Sequence, residues 1–162
     1  MADTLTIRIH EAVLTGDVVR VRELLDHNPL LIDTRDEDGF TPLLVAAEFG
    51  CLPVARLLLD RGADVNARDN YGDTAILLAV RTGHKKMVSL LAEFGADINS
   101  QNKLGWTPLH EAADDDYRTM AQLLIGLGAD PLAHDIHGRT PLDVAGSTRY
   151  STVARLFSRQ NA

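Results

Sequence analysis

The side chains that could do chemistry fall in a few places. In His134-Asp135-Ile136-His137, two imidazoles and a carboxylate lie within four residues, which is how part of a zinc site would begin. Zinc needs three or four ligands in a fixed array, and no second cluster in the sequence completes one, so no metal and no other cofactor is expected. Cys51 is the only cysteine, and no histidine is fixed near it in sequence; it reads as a small side chain at the start of a helix, not a nucleophile. Asp114-Asp115-Asp116 sets carboxylates at the end of a helix, where they oppose its macrodipole. Asp116 can cap the helix that starts near Tyr117. Asp114 and Asp115 then read either as a solvated acidic turn or as a contact for a basic segment of a partner. No Gly-x-Ser-x-Gly, phosphate-cradling glycine loop or His-Glu-x-x-His occurs, so the chain is read as a non-enzyme.

These residues hang on a repeat. Gly105-Trp106-Thr107-Pro108-Leu109-His110-Glu111-Ala112-Ala113 has degraded copies at 39–47, 72–79 and 138–145, and the threonines at 41, 74, 107 and 140 keep a step of 33. Gly-Ala-Asp keeps the same step at 62–64, 95–97 and 128–130. Each copy can be derived physically. Thr41, Thr74 and Thr107 sit where a hydroxyl accepts from a free N–H of the first helical turn. Pro42 and Pro108 follow at the first helical position, where a missing N–H costs nothing, while Ala75 replaces that proline in the third copy. Second helices follow at Leu52–Arg61, Lys85–Phe94 and Tyr117–Leu127. Their core stripes are Val54/Leu57/Leu58, Met87/Leu90/Leu91 and Met120/Leu123/Leu124. Gly62, Gly95 and Gly128 end them as left-handed residues, and Gly72 and Gly105 belong to hairpin-like loop tips.

The pattern resembles the ankyrin repeat, strongly from Asp36 to Ala145 and loosely at both ends. It reads as one domain over 1–162 of about five repeats: a capping repeat at 1–35, internal repeats at 36–68, 69–101 and 102–134, and a closing cap at 135–162. The expected fold class is all-α, a solenoid of stacked helix-turn-helix units joined by hairpin-like loops. The resemblance implies that His110 bonds back toward Thr107 and neighbouring loop backbone, with His10 repeating this less regularly. Asn66 and Asn99 take a loop position that is a hydroxylation target in some ankyrin proteins of animal cells; an Asn stabilising its own turn accounts for them equally.

Function also follows by resemblance: a concave face of loop tips and first helices that binds a partner protein. Placed on this chain, that face holds Phe40, Phe49, Asn70, Tyr71, Asp73 and Arg81, then Lys103, Leu104, Trp106, Asp114 and Asp115, then His137 and Arg139. Four of the eight aromatics lie there (Phe40, Phe49, Tyr71, Trp106), although the fold needs no large ring at those positions. For Phe40 and Trp106 the competing reading is local packing over adjacent loops. Two other classes stay open: a self-associating or engineered repeat scaffold, and a metal or small-molecule binder.

Bulk properties bound the partners. The chain has 162 residues, a formal charge of -7 and a pI near 5.2, with no Lys/Arg run beyond Lys85-Lys86. Nucleic acid is therefore not expected. No apolar stretch reaches membrane-spanning length, and the start does not read as a secretion signal. A monomer in the cytoplasm, binding a protein that carries a basic segment, is the expectation. The third repeat, without its Thr-Pro and with Ala92 in a leucine slot, is expected to be the softest interior unit.

Overall fold

The computed structural model describes residues 4–146 and 152–153. The chain divides into two compact units, one up to Ala96 and one from Asp97, each built from its own helix pairs. In the first lie α1 (Thr4–Leu14), α2 (Val18–His27), a 3₁₀ turn (Pro29–Asp33), α3 (Pro42–Glu48), α4 (Leu52–Asp60), α5 (Ala75–Arg81) and α6 (Lys85–Glu93). The second holds α7 (Pro108–Asp114), α8 (Arg118–Gly126) and α9 (Pro141–Gly146). Among the described residues there is no strand, and a single antiparallel bridge joins Arg68 to Thr74. The fold is the all-α stack of repeats that the period implies. The 3₁₀ turn takes up the longer His27–Ile32 linker of the first repeat.

In the first unit, α3 packs against α1, α4 and α5 at once, so it has almost no outward side. Every residue from Pro42 to Ala47 is buried, and Ala46 and Ala47 are small enough to let three neighbours close in. The helix starts as expected: Thr41 is extended, its hydroxyl accepts from Leu44 N–H at 3.4 Å, and Pro42 follows. α5 is buried to the same degree from Ala75 to Val80. Thr74, however, makes no cap bond of this kind. Second helices bury one stripe only. Val54, Leu57 and Leu58 in α4, and Met87, Leu90 and Leu91 in α6, face inward while Arg56 and Glu93 meet in solvent at 3.2 Å. Burying each such leucine stabilises by about 1.5–3 kcal/mol.

Two tethers align α3 with α5. Beside their N-termini, Asn70 N–H donates to Asp38 C=O at 3.0 Å. Beside their C-termini, His84 Nε2 bonds the Glu48 carbonyl at 3.2 Å. A Cβ on Gly39 would lie 2.6 Å from Asn70 Oδ1, so the first tether depends on a glycine. His10 fastens the first repeat in turn, with Nε2 on the Phe40 carbonyl at 2.8 Å and Nδ1 on the Thr6 carbonyl at 2.7 Å.

In the second unit α7 packs on α8 and α9. Met120 and Leu124 are buried and Leu123 is half-buried. Asp116 does not cap α8; Tyr117 takes the cap position, without a side-chain bond. Asp116 instead stands where the other turns have Gly50 and Gly83, with φ 52 against their 69 and 78. Aspartate tolerates that conformation better than most residues, and its carboxylate accepts from Val153 N–H at 3.0 Å and Thr152 Oγ at 3.2 Å. Of the closing cap expected at 135–162, residues 147–151 and 154–162 lie outside the described residues.

Candidate functional site

The loop tips are built by one recurring device. Asp36, Asp69, Asn102 and Asp135 each accept from two backbone N–H groups, two and four residues on, at 2.8–3.0 Å. This is an Asx-turn that closes the tip and pins the side chains next to it. Its signal lay in the sequence as an Asp or Asn three residues before each tip glycine, at the 33-residue step.

On the first unit, the tip and first-helix residues separate by burial. Tyr71 is 64% exposed and Phe49 is 56% exposed. Neither ring is needed to fill the core. Asn70 is exposed but already engaged, its Nδ2 donating to the Glu37 carbonyl at 3.0 Å. Phe40 is half-buried, and its carbonyl takes the His10 bond. Asp73 departs from the expected open contact: it is only 3% exposed, and Arg81 Nη1 donates to its carboxylate at 2.8 Å. The arginine comes from the end of α5 and folds back over the tip, which buries the carboxylate beneath it.

On the second unit, Lys103 and Leu104 are exposed at the tip, and Asp114 and Asp115 are exposed at the end of α7. Trp106 is half-buried and stacks on His110, ring centroids 6.2 Å apart and 25° between planes. The ring thus packs in part on a residue of α7, where the competing reading had it over adjacent loops. His137 is exposed. Arg139 is exposed as well, but its guanidinium meets Asp135 Oδ2 at 2.7 Å.

The polar interior of this unit centres on His110. Its Nδ1 accepts from Thr107 N–H at 3.2 Å and lies 2.9 Å from Thr107 Oγ, while Nε2 reaches the Arg139 carbonyl at 3.0 Å. Thr107 Oγ in turn accepts from His110 N–H, completing a capping box. Accepting at Nδ1 and donating at Nε2 suits a neutral ring. Burial lowers the His110 pKa, and this outweighs the opposing bond to the Arg139 carbonyl. At Asp135 burial pushes the other way, toward a higher value. Bonds from Arg139 N–H, the Arg139 guanidinium and His137 N–H overcome it and hold the carboxyl far below its usual range. Asp143 is lowered by the Thr140 N–H and hydroxyl.

Asp135 is therefore occupied by its own loop. Among the described residues, no group of three or more His, Cys, Asp or Glu side chains is placed to hold a metal. Cys51 is half-buried at the cap position of α4. No described helix is long and apolar enough to cross a membrane. What the described tips and helix ends leave exposed is a set of rings and charges.

The comparisons agree with this architecture. A family model described as ankyrin repeats (3 copies) matches residues 67–135, and one described as ankyrin repeats (many copies) matches residues 24–79. Together they run from 24 to 135, well over half of the chain. An ankyrin repeat protein of fowlpox virus is 47% identical over 58 residues, which is 36% of this chain and 14% of that protein. The serine/threonine-protein kinase VIK of Arabidopsis thaliana is 47% identical over 51 residues, 32% of this chain and 12% of the kinase. In Saimiri boliviensis boliviensis, the ankyrin repeat, SAM and basic leucine zipper domain-containing protein 1 is 41% identical over 59 residues, 36% of this chain and 12% of its own. Each likeness covers a small part of a larger protein. Two repeat models that overlap over residues 67–79, and helix pairs that follow the 33-residue step, place it in the ankyrin repeat family.

Proposed function

We propose that this chain is a non-enzymatic protein-binding module, and that each unit binds through the face made by its loop tips and first helices. Ankyrin repeats generally mediate protein–protein interaction. The observation that carries the reading here is the exposure of Phe49 and Tyr71 on rigid elements that do not need them. Large rings held with little rotamer freedom are what interfaces use as anchors. In the second unit Leu104, 55% exposed, takes the place of Tyr71, with Lys103, Asp114, Asp115 and His137 around the same loops and helix end. Asn70, Asp73, Arg81, Trp106 and Arg139 shape the tips and helix ends that hold these contacts. The formal charge of -7 favours a partner that presents basic residues. The lone Cys51 suits the cytoplasm, and we take the module to act as a monomer.

Capture from native lysate tests this. The unaltered chain should retain a partner that a Phe49→Ala/Tyr71→Ala variant loses while keeping its melting temperature. Equal capture by both would end the reading.

A further inference from the structure

The face of the first unit carries opposite charge at its two edges, and we infer that it takes one extended segment of a partner protein, basic at one end and acidic at the other. This rests on the protein-binding reading and adds the partner's chemistry and direction. α3 and α5 lie side by side and run the same way, because the Asn70–Asp38 bond ties them beside their N-termini and the His84–Glu48 bond ties them beside their C-termini. Each has seven residues. The two edges are then about 10 Å apart, which about three residues of extended chain would span.

At the tip edge, Asp36 and Asp69 are matched in number by Arg35 and Arg68 of the same loops, which donate to the Gly39 and Gly72 carbonyls. That leaves Glu37 and Asp38, both exposed, as the excess charge beside Tyr71. At the turn edge, Lys85 and Lys86, the first two residues of α6, are exposed, and Gly50, the residue after Phe49, lines one cavity with them. That cavity, of about 310 Å³, is also lined by Leu52, Gly83 and His84. Glu48 is the carboxylate at that edge, half-buried, and the two lysines outnumber it. The Arg81–Asp73 pair cancels itself and gives neither edge a sign. A segment with its basic end on Glu37 and Asp38 and its acidic end on Lys85 and Lys86 gains at both edges; reversed, it meets like charge at both. Tyr71 and Phe49 then supply one anchoring ring per edge.

Selection of a random-peptide library on the full chain tests the inference. Enriched peptides should carry Lys/Arg in one half and Asp/Glu in the other, and should bind about tenfold more weakly to Lys85→Glu/Lys86→Glu, a change of about 1.4 kcal/mol. Swapping the acidic half of such a peptide to lysine should restore its binding to that variant, and Glu37→Lys/Asp38→Lys should behave as the mirror image. Glutamates in the first turn of α6 suit its macrodipole, so the variant is expected to fold. Peptides that need Phe49 and Tyr71 but show no charge segregation, or that ignore both charge variants, would overturn the inference and leave the binding face standing. Peptides that bind a Phe49→Ala/Tyr71→Ala chain equally well would remove both.

Discussion

The third and fourth repeats fasten the same short helix by different means. In α7 the fastening is polar: Thr107 and His110 cap each other, and His110 reaches the Arg139 carbonyl of the next tip. In α5 the threonine cap bond is missing and Ala75 stands for proline. Both helices bury six residues, but those of α5 are all apolar where α7 includes His110 and Glu111, and Arg81 folds back on Asp73. A polar fastening is specific but exposed to loss of any one partner, since each orphaned buried group costs about 1–3 kcal/mol. An apolar one is spread over many contacts and fails gradually. The softness expected of the third repeat thus has a counterweight in the larger apolar side chains it buries, Ile76, Leu77, Leu78 and Val80, although Ala92 does leave a half-buried position in α6.

The largest test of this contrast is His110→Ala. It strips Thr107 N–H and the Arg139 carbonyl of their partner and opens a cavity, so denaturant unfolding should show a loss of about 3 kcal/mol. A loss under about 1 kcal/mol would mean that the polar fastening is ornamental.

Acid should act on the same unit next. His110 titrates below its ordinary 6.5 in the fold, so its contribution is complete above that value and is lost as pH falls through it toward the folded value. Asp135 and Asp143 titrate below 3.8, so their contribution survives further and is lost only as pH drops below that value toward their folded ones. Melting temperature against pH should decline in two steps, and His110→Gln should flatten the first. An unchanged first step would take His110 out of the account.

In the third repeat the effects are smaller. A double-mutant cycle of Arg81→Met with Asp73→Asn should give a coupling of about 1 kcal/mol, because the arginine side chain is 41% exposed and water screens the pair. Zero coupling would leave burial and the tethers to α3 as the fastenings that matter for α5. Smallest of all, Ala75→Pro should stabilise by about 0.5 kcal/mol through the unfolded state. Thr74 already has the extended backbone that a following proline demands, φ -99 and ψ 166 against -92 and 166 at Thr107. A destabilised variant would mean that the missing proline is compensated, not merely absent. Hydrogen exchange across α5 and α7 then ranks the two repeats directly; equal protection would remove the expected softness.

Much of the fold was legible because its signals are local and repeat. Glycine turns, proline starts and the apolar stripes of α4, α6 and α8 act within a few residues of where they are written, and a 33-residue step reads them several times over. The candidate site was legible in part. Phe49, Tyr71 and Leu104 do lie open on their tips and helix ends. Asp73 and Trp106 occupy matching slots yet turn into the protein, one under Arg81 and one onto His110. Asp116 was misread as a cap because its partners, Thr152 and Val153, lie 36 and 37 residues away.

From its sequence alone this chain was bound to stack short helices in pairs, since every unit leaves an apolar flank that only another like unit covers. Which tip residues meet solvent was decided in the folded protein. A side chain's exposure depends on what the chain brings back against it, from the far end of its own helix or from the next repeat, and neither distance is written beside the residue.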